Sequence, residues 1–223
     1  QYRYIPNADS GRDYIPQIED DVFYTGLPLI DSYNETELDD LKERHLLRAG
    51  LKQTFQTRDH TPGGAPTRNL LRFDAYQDFY FSTEANGGND WGDFYIVTEA
   101  NPAHWLTLRA FARLNWEELT WNEHRLEATL RDGDYRSITF KTRYLKDSLE
   151  QYEILVLQRL TDRVGAYAEV TYDSDLGEWT QQRYGLTRRL KSGWEVLAGI
   201  EKRVNDSRDS DNRVVIKMRW ANF

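Results

Sequence analysis

The chain has no cysteine, a single methionine, four histidines and six prolines. Without a thiol it forms no disulfide and offers no thiolate as nucleophile or metal ligand, and the lack is compatible with an oxidising compartment. Its longest strongly apolar run is Ile154-Leu155-Val156-Leu157, far short of the ~18 residues that a membrane-spanning helix needs. Positive charge is short too: 29 Lys and Arg against 37 Asp and Glu give a net charge of −8. No basic stripe can displace counterions, which argues against nucleic acid as partner. Residue 1 is Gln and no charged-then-apolar signal segment follows it, so the expectation is a mature product or an excised fragment.

What the chain does have is alternation. Twelve stretches place apolar and polar residues with a period of two, separated by turn-rich segments. In one of them Leu106, Leu108, Ala110, Ala112 and Leu114 share a face, opposite Thr107, Arg109 and Arg113. Leu126, Ala128 and Leu130 alternate with Arg125, Glu127 and Thr129, and Val196, Ala198 and Ile200 follow the same rule. Such a strand has one face in an oily medium and one in a wet, charged medium. Strands of soluble sandwiches average about five or six residues. These run to about ten or more, the length of a tilted bilayer crossing. The mean hydropathy of −0.79 does not count against this, because a polar lumen and solvated loops dilute the lipid-facing band. The expected fold is therefore all-β: an antiparallel transmembrane β-barrel with about 11–12 strands present, spanning 1–223 and forming part of a larger barrel.

The strands are expected at 1–6, 44–58, 68–83, 92–100, 105–116, 119–131, 135–146, 150–160, 163–173, 179–190, 194–204 and 212–221. Tight turns at Asp132-Gly133 and Ser192-Gly193 carry hairpin chemistry, and Asn101-Pro102-Ala103-His104 reads as a third short turn. Outer-membrane barrels keep short turns on the periplasmic side and longer loops outside. On that rule 205–211, 174–178, 147–149, 117–118, 84–91 and the long 7–43 segment lie outside, and 191–193, 161–162, 132–134 and 101–104 inside. A loop as long as 7–43 is usually a lid or binding loop. The first strand is only half a crossing long. All seven Trp lie near strand ends, as an interfacial girdle requires, although only Trp116, Trp194 and Trp220 fall in the lipid-facing phase.

Chemistry-bearing clusters are sparse. His45, His60, His104 and His124 pair with no Ser by any recognisable motif, so no catalytic residue and no cofactor is assigned. Asp206, Asp209 and Asp211, and Asp173, Asp175 and Glu178, are hard-oxygen clusters. Their spacing fits no EF-hand, so they read as solvated loops and no metal site is assigned. On the wet face Arg109, Arg113, Arg125, Arg131, Lys141, Arg143, Arg183, Arg189 and Arg203 interleave with Glu123, Glu127, Glu195 and Glu201. Two readings stay open for them: a lumen that passes phosphorylated cargo, or plain lining in which neighbouring strands pair opposite charges.

Four stretches, His45–Arg58, Asp90–Tyr95, Asn101–Leu108 and Leu160–Tyr167, resemble in order and spacing the C-terminal half of the lipopolysaccharide-assembly proteins of the bacterial outer membrane (the LptD, or organic-solvent-tolerance, family). The resemblance covers roughly 40–223. It implies a very large barrel, integral to the outer membrane, that closes around a plug lipoprotein, works with periplasmic bridge proteins and inserts lipopolysaccharide into the outer leaflet without catalysis. It also implies that Val214, Ile216, Lys217, Met218, Arg219 and Trp220 form the last strand and a lateral gate. The alternatives are a complete porin-like channel of about twelve strands and a barrel hydrolase.

Overall fold

Period-two alternation becomes extended chain because every second residue finds a like neighbour across the ladder. The computed structural model describes residues 1–5, 27, 44–58, 67–81, 90–191, 193–204 and 210–220. The twelve strands are β1 (Tyr2–Ile5), β2 (Arg44–Arg58), β3 (Thr67–Tyr80), β4 (Trp91–Ala103), β5 (Leu106–Asn115), β6 (Thr120–Asp132), β7 (Arg136–Leu145), β8 (Leu149–Arg159), β9 (Val164–Asp173), β10 (Glu178–Arg189), β11 (Trp194–Val204) and β12 (Ser210–Trp220). They form one antiparallel sheet in sequence order from β1 to β12. From β2 onward each strand has 10 to 15 residues. The all-β, antiparallel expectation is met, with strand bounds within about three residues of those read from the sequence. Among the described residues no ladder joins β1 to β12. The expected lid or binding role of 7–43 lies outside the described residues, Leu27 excepted, as do His60, Asp206 and Asp209.

Register carries the alternation from strand to strand. Ala110 faces Thr98 and Leu126, Phe140 faces Ala128 and Ile154, Ile154 faces Val170, and Ile200 faces Tyr184 and Val214. One side of the sheet is therefore a continuous apolar surface. The other carries the charged residues, interspersed with Tyr95, Val97, Phe111, Leu155 and Leu197. Burial is distributed between them against the usual order. Among the described residues the buried apolar side chains are three (Leu46, Tyr95 and Phe111), and the buried polar or charged ones are ten, with Glu123 at 0% and Asp78 at 2% exposure. Large apolar side chains stand in the open, among them Leu126 at 51%, Ile200 at 61% and Val214 at 75%. The enclosed face is the charged one.

Two expectations need correcting. Asn101-Pro102-Ala103 is the end of β4, and the connection shrinks to His104-Trp105. Register slips between Ala100 and Ala103, so Pro102 sits at an irregularity where no ladder donor is demanded of it. The Arg68 guanidinium donates to the carbonyls of Asn101 and Pro102. The tryptophans are the second. Bulges near the loop ends shift phase by one residue, so that Trp91 pairs with Phe79, Trp121 with Leu114 and Trp179 with Tyr172. Each partner belongs to the apolar face, which returns these three rings to it. Trp116 lies 5.9 Å from Phe94, and Trp194 meets Trp220 edge-on at 5.3 Å. The apolar face is thus rimmed by Trp at both ends of the strands.

On the polar face tyrosine rings lie over glycines. Tyr167 covers Gly185 and Gly199, which face each other across the β10–β11 ladder. A Cβ on Gly199 would stand 2.4 Å from the Tyr184 carbonyl and 2.7 Å from the Tyr167 hydroxyl. Gly199→Ala is expected to cost ~1–3 kcal/mol by overpacking. Gly177 has φ +68°, and a Cβ there would meet nothing within 4 Å. Gly177→Ala should lose only the ~1–2 kcal/mol of a left-handed alanine. Urea unfolding of the two variants in one detergent measures the contrast. Equal losses would show that the rings do not confine the glycines.

Candidate functional site: the charged face of the sheet

Side chains that alternate inward along each strand fall into rows that cross the sheet. One row runs Arg72, Glu99, Arg109, Glu127, Lys141, Glu153 in successive register from β3 to β8. Its signs alternate at every step. Arg109 reaches both neighbours, Nε to Glu99 at 3.3 Å and Nη1 to Glu127 at 2.9 Å, and Lys141 Nζ meets Glu153 at 2.7 Å. A second row runs Glu169, Arg183, Glu201, Arg213 from β9 to β12. Arg183 bonds Glu169. Glu201 is held by Arg213 at 2.8 Å, Arg203 at 2.6 Å and the Gln181 amide at 2.9 Å. Opposite charges directly across an antiparallel ladder attract, and each such pair contributes a few tenths to about 1 kcal/mol.

A denser knot lies toward the loop end of β2–β6. Arg48 grips Asp78 in a two-toothed contact, Nε to Oδ1 at 2.6 Å and Nη2 to Oδ2 at 2.7 Å, and lies 5.2 Å from the centre of the Tyr95 ring. Both side chains are buried. Glu123 draws Arg125 to 3.2 Å and Arg113 to 4.0 Å, and Arg113 also approaches Asp93 at 3.7 Å. Asn122 donates to Asp93 at 3.1 Å. Outside the strands, Lys146 and Glu118 tie two loops together at 3.0 Å. That contact holds the Glu118 carboxyl below its ordinary pKa and the Lys146 ammonium above its own.

The candidate residues can now be placed. Arg109, Arg113, Arg125, Lys141, Arg183 and Arg203 all lie on the polar face and are all ion-paired. For Arg109, Arg113, Lys141 and Arg183 the pairing of charges between strands is realised, whereas Arg125 and Arg203 pair within their own strands, with Glu123 and Glu201. Arg143 stands directly opposite Arg125 and has no ion-pair partner among the described residues. Both border a cavity of ~670 Å³ that Leu27 also lines. Arg189 sits at the turn end opposite Glu195. In β12, Val214, Ile216, Met218 and Trp220 are exposed on the apolar face. Lys217 is exposed on the other, in register with Leu197. The side chain of Arg219 lies outside the described residues.

Asp173 spends its carboxylate on the turn. Oδ1 accepts from the backbone N–H groups of Asp175 and Leu176 at 3.1 Å each, and Oδ2 accepts from Gln151 at 3.0 Å. No group of three or more potential metal ligands occurs among the described residues. His124 stacks on Tyr144 at 4.8 Å, and His45 bonds the Tyr2 hydroxyl at 2.7 Å. The sequence reading missed Arg48 with Asp78, and the acidic partners Glu99, Glu153 and Glu169. Asp74 and Asp78 fall in one phase of β3, and that period-two spacing was the available signal. No family model matches the chain, and no curated relative matches it.

Proposed function

We propose that this chain is a membrane-spanning stretch of a large outer-membrane β-barrel that carries lipopolysaccharide to the outer leaflet, with no catalysis of its own. The observation that carries the membrane placement is the inverted burial: charge enclosed, leucine, isoleucine and valine exposed. In water a continuous apolar surface of this extent marks a membrane or partner contact. In lipid it is the ordinary exterior of a barrel, and crossings of 10 to 15 residues with Trp at both rims suit a hydrocarbon layer. Ion-paired rows suit the wet interior.

The cargo rests on the four family-like stretches. They fall on β2, on the loop end of β4, on the β4–β5 connection and on the turn into β9, so the likeness lies in strands and turns together. With that family come the plug lipoprotein and the periplasmic bridge proteins as partners. β12 then serves as one side of a lateral exit, since among the described residues it pairs with β11 alone. Lys217, on the polar side of that strand, is placed to meet phosphorylated sugars by charge-assisted hydrogen bonds. A photo-crosslinker replacing Lys217 in cells should capture lipopolysaccharide, and one replacing Ile154, mid-sheet on the apolar face, should capture phospholipid. Phospholipid alone at both positions would remove β12 from the export path.

A further inference from the structure

The charged rows across the middle of the polar face pair their charges, whereas the turn end carries an excess of arginine. A cavity of ~600 Å³ opens there, at the turns that follow β6, β8 and β10. Its floor includes Gly165 and the Tyr167 ring, which covers Gly185. Arg131, Arg163 and Arg189 line it. All three are exposed, and among the described residues none has an ion-pair partner. Three acidic residues also line the cavity, Asp134, Asp162 and Glu195, against five arginines. Asp162 binds Arg159 at 3.1 Å, Glu195 makes a contact of its own, and Asp134 lies in the turn after β6. Arg163 and Arg189 are brought side by side by the backbone bond from the Arg189 N–H to the Arg163 carbonyl, 2.8 Å. Arg131 stands four strands away, roughly 19 Å at the ~4.8 Å spacing of a ladder.

We infer that this turn-end cavity is a binding site for phosphoryl groups, with Arg163 and Arg189 as its primary clamp and Arg131 as a second point of attachment across the glycine floor. Guanidinium forks match tetrahedral oxyanions in two-toothed contacts. Two adjacent forks without a carboxylate between them repel each other until an anion joins them. The site stands on the cavity and its charges and needs only the folded sheet, so its fate is separate from the Lys217 crosslink.

The test uses the full chain folded in a neutral detergent and titrated with pyrophosphate by calorimetry. Saturable binding is expected, and Arg163→Gln with Arg189→Gln should weaken it at least about tenfold. Lys146→Gln with Lys202→Gln makes the same charge change at the loop end and should leave it unaltered. Should the glutamine pair fail to give the native sheet signal by circular dichroism, Arg163→Lys with Arg189→Lys keeps the charge, removes the forks and should still weaken binding severalfold. Doping the micelles with lysophosphatidic acid separates the two sources of the group. Competition with pyrophosphate assigns the site to a lipid headgroup, and its absence assigns it to a free solute. No saturable binding, or an equal loss in the two glutamine pairs, would overturn the site.

Discussion

Ala110→Arg is expected to destabilise the protein in a bilayer by roughly 2–4 kcal/mol, the penalty of a cation near the midplane on the lipid face. Ala110 lies in the middle of β5, between Thr98 and Leu126 on the apolar surface. Its neighbour Arg109 projects to the other side, half exposed, with Glu99 and Glu127. Removing that arginine leaves two carboxylates that water still reaches, so Arg109→Ala should cost no more than about 1 kcal/mol. The pair of variants differs by one position in sequence and by the whole thickness of the sheet in environment. Unfolding by urea from lipid vesicles reads both. Equal losses would show that the two faces are not what their burial implies.

The second large effect belongs to Arg48 and Asp78. Both are almost wholly buried and are joined by two short charge-assisted bonds. Arg48→Met strands the Asp78 carboxylate in an enclosed site, and such a break costs about 3–5 kcal/mol. Asp78→Asn keeps one acceptor and removes the charge, leaving the guanidinium without its counter-ion. The double variant Arg48→Met with Asp78→Leu removes both charges and should recover most of the loss, because a buried pair replaced by apolar groups is close to neutral. A double-mutant cycle on the unfolding free energy in detergent gives the coupling. Additive losses would mean that the pair does not act as a unit.

The strands were legible because their cause is local. β2 and β11 run from Arg44 to Arg58 and from Trp194 to Val204, as the alternation places them, since a half-exposed strand writes its two faces into every second residue. The tight connections were legible from Gly133 and Gly193, whose positive φ angles only glycine adopts freely. What was hidden depends on register. A bulge advances the phase by one residue without altering composition, so Trp91, Trp121 and Trp179 looked misplaced until their partners Phe79, Leu114 and Tyr172 were known. The rows of alternating charge are likewise invisible along one strand. Glu99 meets Arg109, and Arg109 meets Glu127, only because two hairpins are set in those registers. Pro102 suggested a turn because proline usually breaks a ladder, and it was the slip beside it that let β4 continue.

The central claim, that the exposed apolar face meets lipid while the charged face encloses water, is most directly tested on β7. The chain has no native cysteine, so single cysteines at 138, 139, 140, 141, 142 and 143 can each carry a nitroxide without background labelling. After reconstitution in vesicles, relaxation by oxygen, which concentrates in hydrocarbon, is compared with relaxation by a water-soluble nickel chelate. Labels replacing Ile138, Phe140 and Thr142 should favour oxygen, and labels replacing Thr139, Lys141 and Arg143 should favour the chelate, with a period of two. A flat profile, or one in which the chelate reaches Ile138, Phe140 and Thr142 best, would contradict the placement of this sheet in a membrane.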